Sequence, residues 1–402
     1  MEARSWWLLL SGVLLRPRLA CGLLCGFVGE ISCRSGVAIA SKPAAVRVVT
    51  AVLFYDPLCL RPYDTQTLQQ QALGGTEATV VRIADALGAL VAQHNRKAAA
   101  GRYLPPTRDP SIGCVVVNRD SRALPAVREL YPNARVFLWL HDRMRPGSRR
   151  ARWLASTAGL LRALDVRIIC VSDTQREAVE ATLRRIEVDD HVRACTIYNA
   201  VEDSLQPDGS PVDERKLVFL SSPNKGLRFA LDAFREMRRR MPDLRLVVGN
   251  PGYKAGERAP IDGAEYLGPQ PQRRMHTEVR TALCTFAPNF VIPETFGLVF
   301  AESKALGTPV LTFDCGAARE VIGDDRQLLP VRTGHRVYEM LLGGCPSRRR
   351  AVPARIAASI GLFDDLCDRI RLWRSGQRPV PTPDPRFRLS VVARRWREVL
   401  SL

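Results

Sequence analysis

Residues 293–310 read PETFGLVFAESKALGTPV. Glu294 and Glu302 stand eight positions apart in it. The first follows a proline at a loop end. The second lies inside an amphipathic run that stops at Gly307. A helix starting near Thr295 would separate them by roughly 12 Å along its axis. Carboxylate pairs that cleave a glycosidic bond sit about 5–9.5 Å apart, so this pair is too wide for acid–base work on one bond. The spacing suits an elongated ligand with a hydroxyl-rich ring at each end. A nucleotide sugar has that form, with a hexose, a diphosphate and a ribose. The helix start at Phe296, Gly297 and Leu298 would offer free N–H groups and a positive dipole end to the phosphates. Gly297 would let the ligand come close to the backbone. A first-turn glutamate and a solvated one further along give the same spacing, so the stretch alone leaves both readings open.

The flanking text repeats one unit, a short apolar run followed by an amphipathic helical stretch. VRVVTAVLFY (46–55) reads as a buried strand, and Ala78–Val91 carries apolar residues at helical spacing. SIGCVVVN, RVFLWL and VRIICVS are further strands, with helical text such as Thr174–Arg185 between them. A polar, turn-rich linker follows at 201–214. A second series then runs KLVFLS, a helix over Gly226–Arg240, LRLVVG, AEYLG, a helix around 271–282, CTFAP, the helix holding Glu302, and PVLTF. This alternation predicts an α/β chain of parallel sheets covered by helices. The expected units are an apolar extension over 1–43, a first domain over 44–205, a second over 206–384, and a terminal helix over 385–402 packing back on the first domain. The site is expected in the cleft between the two domains.

The chain has 402 residues, enough for two domains, and its composition is globular at 46% hydrophobic and 25% charged. The formal charge is +18, carried almost wholly by arginine. Such a surface attracts nucleic acid, anionic lipid or phosphorylated substrates. A GC-rich genome that spells surface cations as Arg gives the same balance. No RNP aromatic pattern or Cys/His finger spacing supports nucleic acid as a partner. None of the eleven cysteines forms a C-x-x-C pair, and most lie in apolar runs. They read as buried thiols of a reducing, cytoplasmic compartment. The segment 1–43 holds two apolar stretches split by Arg16-Pro17-Arg18, each too short to span a bilayer. It is compatible with a poor signal segment, a peripheral anchor on the inner face of an anionic membrane, or translation upstream of the true start.

PETFGLVFAESKALGTPV closely resembles the E-x7-E signature of retaining GT-B glycosyltransferases of glycosyltransferase family 4, the "group 1" type. SSPNKGLRFALDAF, LRLVVGNPG and GTPVLTFDCGAAREVI resemble the rest of that family's second domain. LGGTEATVVRIADAL, WLHD, ICVSDTQRE and IYNAV extend the likeness to the first domain. It covers roughly residues 45–330, with the motifs in order. The resemblance implies a GT-B fold of two Rossmann-like domains facing a cleft. By the same resemblance, Glu294 holds donor-sugar hydroxyls near the reacting carbon and Glu302 binds the nucleotide ribose. Lys225 falls where the family places a cation on the diphosphate. The usual Arg five positions earlier is here Leu220, so Ser221, Ser222 or another arginine would have to replace it. Gly74, Gly75 and Thr76 open a helix, and adjacent glycines there make a backbone nest for an anion. In the family this turn lies against the donor phosphates. His141 and Asp142 end a strand at the presumed cleft, where the resemblance points His141 at the donor sugar or acceptor hydroxyl. An ordinary structural histidine fits the position equally. Asn199 matches an interdomain turn.

There is no D-x-D pair, H-E-x-x-H or G-x-S-x-G in the chain. No bound metal and no cofactor are expected, only a nucleoside-diphosphate sugar as co-substrate. The expected activity is metal-independent, retaining hexosyl transfer to a carbohydrate, lipid-linked or protein hydroxyl. The alternatives are a non-enzymatic GT-B-like scaffold at an anionic membrane, or a GT-B nucleotide-sugar epimerase.

Overall fold

The computed structural model describes residues 51–250, 261–343 and 361–402. The extension 1–43, the first residues of the 46–55 strand and the Pro251-Gly252 turn lie outside the described residues.

The first sheet holds β1 (Ala51–Asp56), β2 (Leu90–Gln93), β3 (Tyr103–Leu104), β4 (Ile112–Asn118), β5 (Arg135–Leu140), β6 (Arg167–Cys170) and β7 (Ala194–Thr196), in the order 3-2-1-4-5-6-7. The second holds β8 (Asp213–Leu220), β9 (Arg245–Asn250), β10 (Ala264–Pro269), β11 (Ala282–Phe286), β12 (Val310–Phe313) and β13 (Leu328–Leu329), in the order 10-9-8-11-12-13. The pairings within both sheets are parallel. Parallel strands need helical crossovers that bury both faces, which is why LFY, CVVV and VFLWL are apolar without alternation. Both sheets are Rossmann-like. Each order reverses once, between β1 and β4 and between β8 and β11, and the carboxyl ends of the strands at such a reversal are where open sheets bind ligands.

Crossovers and connections in the first domain include α1 (Thr65–Gln70), α2 (Gly75–Leu87), α3 (Leu124–Leu130), α4 (Arg149–Ser156), α5 (Ala158–Ala163) and α6 (Asp173–Arg185). In the second they include α7 (Leu227–Arg240), α8 (Gln272–Arg280), α9 (Leu298–Ala305) and α10 (Ala318–Ile322). Two expectations need correction. The helix expected over Ala78–Val91 is α2, which closes at Gly88. That glycine is left-handed, at φ 67°, and its N–H caps Ala84 and Asp85. The apolar text beyond it is β2, too short to show a period of its own. The signature helix starts at Leu298, not near Thr295, because Gly297 takes φ 81° as the N-cap. Glu294 therefore sits in the loop before α9 and not on its first turn.

Residues 49–402 form one compact unit. One apolar cluster runs through it from Phe54, Val80 and Trp139 to Phe296, Phe300 and Trp396. The C-terminal helix Leu389–Leu400 lies on the first domain. Trp396 is fully buried there, its ring 5.4 Å from that of Phe54 and 4.7 Å from that of Trp139. Arg397 donates to the Ala86 carbonyl at the end of α2, 2.6 Å away. Cys59, Cys114, Cys170, Cys284 and Cys367 are buried thiols. Among the described residues no helix is long and apolar enough to cross a membrane.

Candidate active site

A cleft open to solvent lies at the carboxyl ends of the second sheet's strands. Glu294, Glu302, Lys225, Leu298 and Gly75 all line it, so residues from both domains meet there.

The loop carrying Glu294 is held from two sides. Its carbonyl accepts from Ala317 N at 3.0 Å, and Thr295 Oγ1 donates to the His141 carbonyl at 2.7 Å. Gly316 makes the first contact feasible: at φ 61°, a Cβ there would stand 2.4 Å from the Glu294 carbonyl oxygen. Gly297 is equally constrained, since a Cβ on it would meet the Phe300 ring at 2.4 Å. Phe296 turns its ring into the core, 5.1 Å from the ring of Phe387. Phe296 is not among the residues that line the cleft. The first-turn amides of α9, at Leu298 and Val299, precede any intrahelical acceptor, and both residues line the cleft.

The second helix N-terminus comes from the first domain. Gly74 caps α2, and Gly75 opens it against α9: a Cβ on Gly75 would lie 3.8 Å from Leu298 Cδ2. Thr76 follows in the first turn. Two positive helix ends thus converge on one wall of the cleft.

Lys225 Nζ is 2.8 Å from Glu294 Oε2, so the expected diphosphate cation and the expected sugar carboxylate form an ion pair. Leu220, where the second family cation is missing, lines the cleft together with Ser221 and Ser222. The Ser222 hydroxyl is buried without a hydrogen-bond partner among the described residues.

Glu302, the expected ribose ligand, lines the cleft. Its carboxylate is also bonded across the domains. Arg82 of α2 places Nη2 3.0 Å from Glu302 Oε1 and 2.8 Å from Gln272 Oε1. The same guanidinium reaches Glu202 Oε1 at 3.1 Å and the Ala200 carbonyl at 3.3 Å. His276 Nε2 stands 3.7 Å from the other Glu302 oxygen. Burial alone would raise the Glu302 carboxyl; the neighbouring His276 and Arg82 outweigh it and hold the group below its ordinary 4.5. Sequence reasoning passed over Arg82. Its only signal was a charge inside the apolar helical run TVVRIADAL, since an arginine on a buried face needs several partners.

His141 does not line the cleft. Its ring is buried 4.4 Å from that of Trp139, and its Nε2 has no hydrogen-bond partner among the described residues. Burial and then the Arg119 charge push its pKa well below 6.5, so the imidazole is neutral at pH 7. Its tie to the site is the backbone bond to Thr295. Asn199 is buried at the interdomain turn. Among the described residues no group of three His, Cys, Asp or Glu side chains could hold a metal ion.

Residues 202–334 match the family described as glycosyl transferases group 1. A phosphatidyl-myo-inositol mannosyltransferase of Mycobacterium tuberculosis is 31% identical over 133 residues, covering 31% of this chain and 35% of that protein. A lipopolysaccharide 1,2-N-acetylglucosaminetransferase of Salmonella typhimurium is 24% identical over 238 residues, 54% of this chain and 58% of that protein. The matched region thus spans about a third to just over half of these curated relatives. The crystal structure of Anabaena HepE in complex with UDP-glucose superposes with a TM-score of 0.56 at 16% identity, over 87% of this chain and 99% of that one. The fold is that of the GT-B glycosyltransferases.

Proposed function

On the premise that residues 202–334 are a group 1 glycosyl transferase domain in a GT-B fold, we propose that the chain is a retaining, metal-independent hexosyltransferase. It moves a hexose from a nucleoside diphosphate to an acceptor hydroxyl. The observation that carries this reading is the cleft itself. Glu294 and Glu302 line it with Lys225, and two helix N-termini converge between the domains.

In this reading the ribose sits by Glu302 and the hexose by Glu294. The diphosphate lies against the first turns of α9 and α2. Those helix ends and the Ser221 and Ser222 hydroxyls do the work of the cation missing at Leu220. Lys225 exchanges its bond to Glu294 for the phosphates, which frees the carboxylate for sugar hydroxyls. The acceptor hydroxyl attacks the anomeric carbon on the face the diphosphate leaves. The new carbon–oxygen bond forms as the sugar–phosphate bond breaks, and the departing phosphate oxygen takes the hydroxyl proton. The protein positions the partners and stabilises developing charge on the leaving group. The relatives, a phosphatidyl-myo-inositol mannosyltransferase and a lipopolysaccharide 1,2-N-acetylglucosaminetransferase, favour a lipid-linked or glycan acceptor. No cofactor is required.

A thermal-shift panel of nucleotide sugars tests the reading. A donor that binds only the folded protein raises its apparent stability. One nucleotide sugar should raise the melting temperature more than its nucleoside monophosphate does. No response to any member of the panel would overturn the assignment of the cleft.

A further inference from the structure

Helix α2 of the first domain meets α9 of the second at two points. At its start, a Cβ on Gly75 would lie 3.8 Å from Leu298 Cδ2. Seven residues later, roughly 10 Å further along the helix, Arg82 Nη2 stands 3.0 Å from Glu302 Oε1. In the reading above, one first-domain helix therefore serves both the diphosphate and the ribose of the donor. The Arg82 side chain is 2% exposed and does not line the cleft, so it acts on a ligand only through Glu302. Its guanidinium is also bonded to Gln272 Oε1 at 2.8 Å, Glu202 Oε1 at 3.1 Å and the Ala200 carbonyl at 3.3 Å. A planar fork fixed by three other acceptors holds the carboxylate in one orientation.

Glu302 Oε1 is thus spent on Arg82. Beside Oε2 stands His276 Nε2, at 3.7 Å, which is beyond hydrogen-bond length. Both residues line the cleft, and His276 Nε2 is buried with no hydrogen-bond partner among the described residues. Buried polar atoms are almost always bonded, so an orphan at the edge of a ligand cleft points to a group that the ligand brings. Next to a carboxylate, the ring nitrogen that carries the proton is the one facing it. An acceptor oxygen and a donor nitrogen therefore lie side by side, each short of a bond. A hydroxyl both donates and accepts, so it completes the two together. An ionised carboxylate only accepts, so a ligand without a hydroxyl at this place leaves Oε2 and Nε2 unsatisfied.

We propose that Arg82 is a positioning residue that sets Glu302 from across the domain boundary, and that Glu302 and His276 together read the ribose diol, which makes the cleft selective for ribonucleotide donors. The proposal rests on the glycosyltransferase reading above and deepens it, because ribose recognition is completed by the first domain.

Calorimetric titration of the full-length protein with UDP, GDP and ADP, each beside its 2′,3′-dideoxy form, tests it. The wild type should bind one of the ribonucleotides at least about tenfold more tightly than the matching dideoxy form, as losing a charge-assisted contact implies. His276→Leu and Arg82→Gln should each weaken the ribonucleotide about tenfold and the dideoxy form by less than about twofold. A merely structural role would weaken both forms alike. His276→Gln returns an N–H at similar reach and should restore most of the ribonucleotide affinity. His276 is at the cleft wall, so its variants decide the matter even where Arg82→Gln does not fold. Equal weakening toward both forms, or unchanged affinities in His276→Leu, overturns the proposal while the donor reading stands. So does a wild type that binds the dideoxy form as tightly as the ribonucleotide. If the wild type binds no nucleotide at all, the donor reading fails and the proposal falls with it.

Discussion

Glu294→Gln should lower turnover about a hundredfold while the protein keeps its fold and its nucleoside diphosphate affinity. The residue stands in the loop before α9, where its backbone is fixed by Ala317 N, so the side chain is not needed to hold the loop. A neutral amide of the same size keeps the shape and removes the charge that would grip the sugar hydroxyls as the anomeric carbon turns cationic. The ion pair to Lys225, 2.8 Å long, gives the variant a second signature. Without Glu294 to hold it, Lys225 needs no rearrangement to reach the phosphates, so nucleoside diphosphate binding should not weaken. Steady-state kinetics and calorimetric titration separate the two effects. Undiminished turnover, or a loss confined to donor KM, would remove Glu294 from the reacting end of the cleft.

Arg82→Leu should destabilise the fold by about 3–5 kcal/mol, because it leaves a buried carboxylate without a counter-charge. The Arg82 side chain is 2% exposed and joins α2 to Glu302, Gln272, Glu202 and Ala200. The sign of the pH dependence follows from Glu302. Its folded-state pKa is depressed, so its ionised form contributes stability above the unfolded value of 4.5, and that contribution is lost as pH falls through the folded value. Removing Arg82 raises the folded pKa. The deficit of the variant against the wild type should therefore be full at pH 7 and should narrow as pH drops below 4.5. Denaturant unfolding at several pH values reads this directly. A deficit independent of pH would mean that Arg82 acts through packing alone. The smaller change Glu302→Gln keeps a bond to Arg82, and it should raise donor KM with little effect on turnover.

The parallel two-sheet architecture was legible because runs such as CVVV and VFLWL have no polar face to offer solvent. The order of the motifs around PETFGLVFAESKALGTPV was enough to name the fold. What the sequence concealed has physical causes. The start of α9 depends on Gly297 being left-handed, and a glycine in the text shows permission for that conformation but not its use. β2 vanished into the helix before it, because four residues cannot display a period against the longer pattern of α2. His141 reads as a cleft residue from its place at a strand end, but the strand's pleat turns its ring toward Trp139 and leaves only the carbonyl for the site. Arg82 was illegible for a different reason. Its partners lie 118 to 220 positions away, and no local pattern records a pairing of that range.

The most direct test of the central claim is the anomeric configuration of the product, read by NMR from a transfer run with the responsive donor in excess EDTA. If helix ends and Lys225 carry the leaving-group charge and attack comes from the departing face, transfer should persist under chelation and the product should keep the donor's anomeric configuration. An inverted product, or transfer that stops with EDTA and returns with magnesium or manganese, would contradict it.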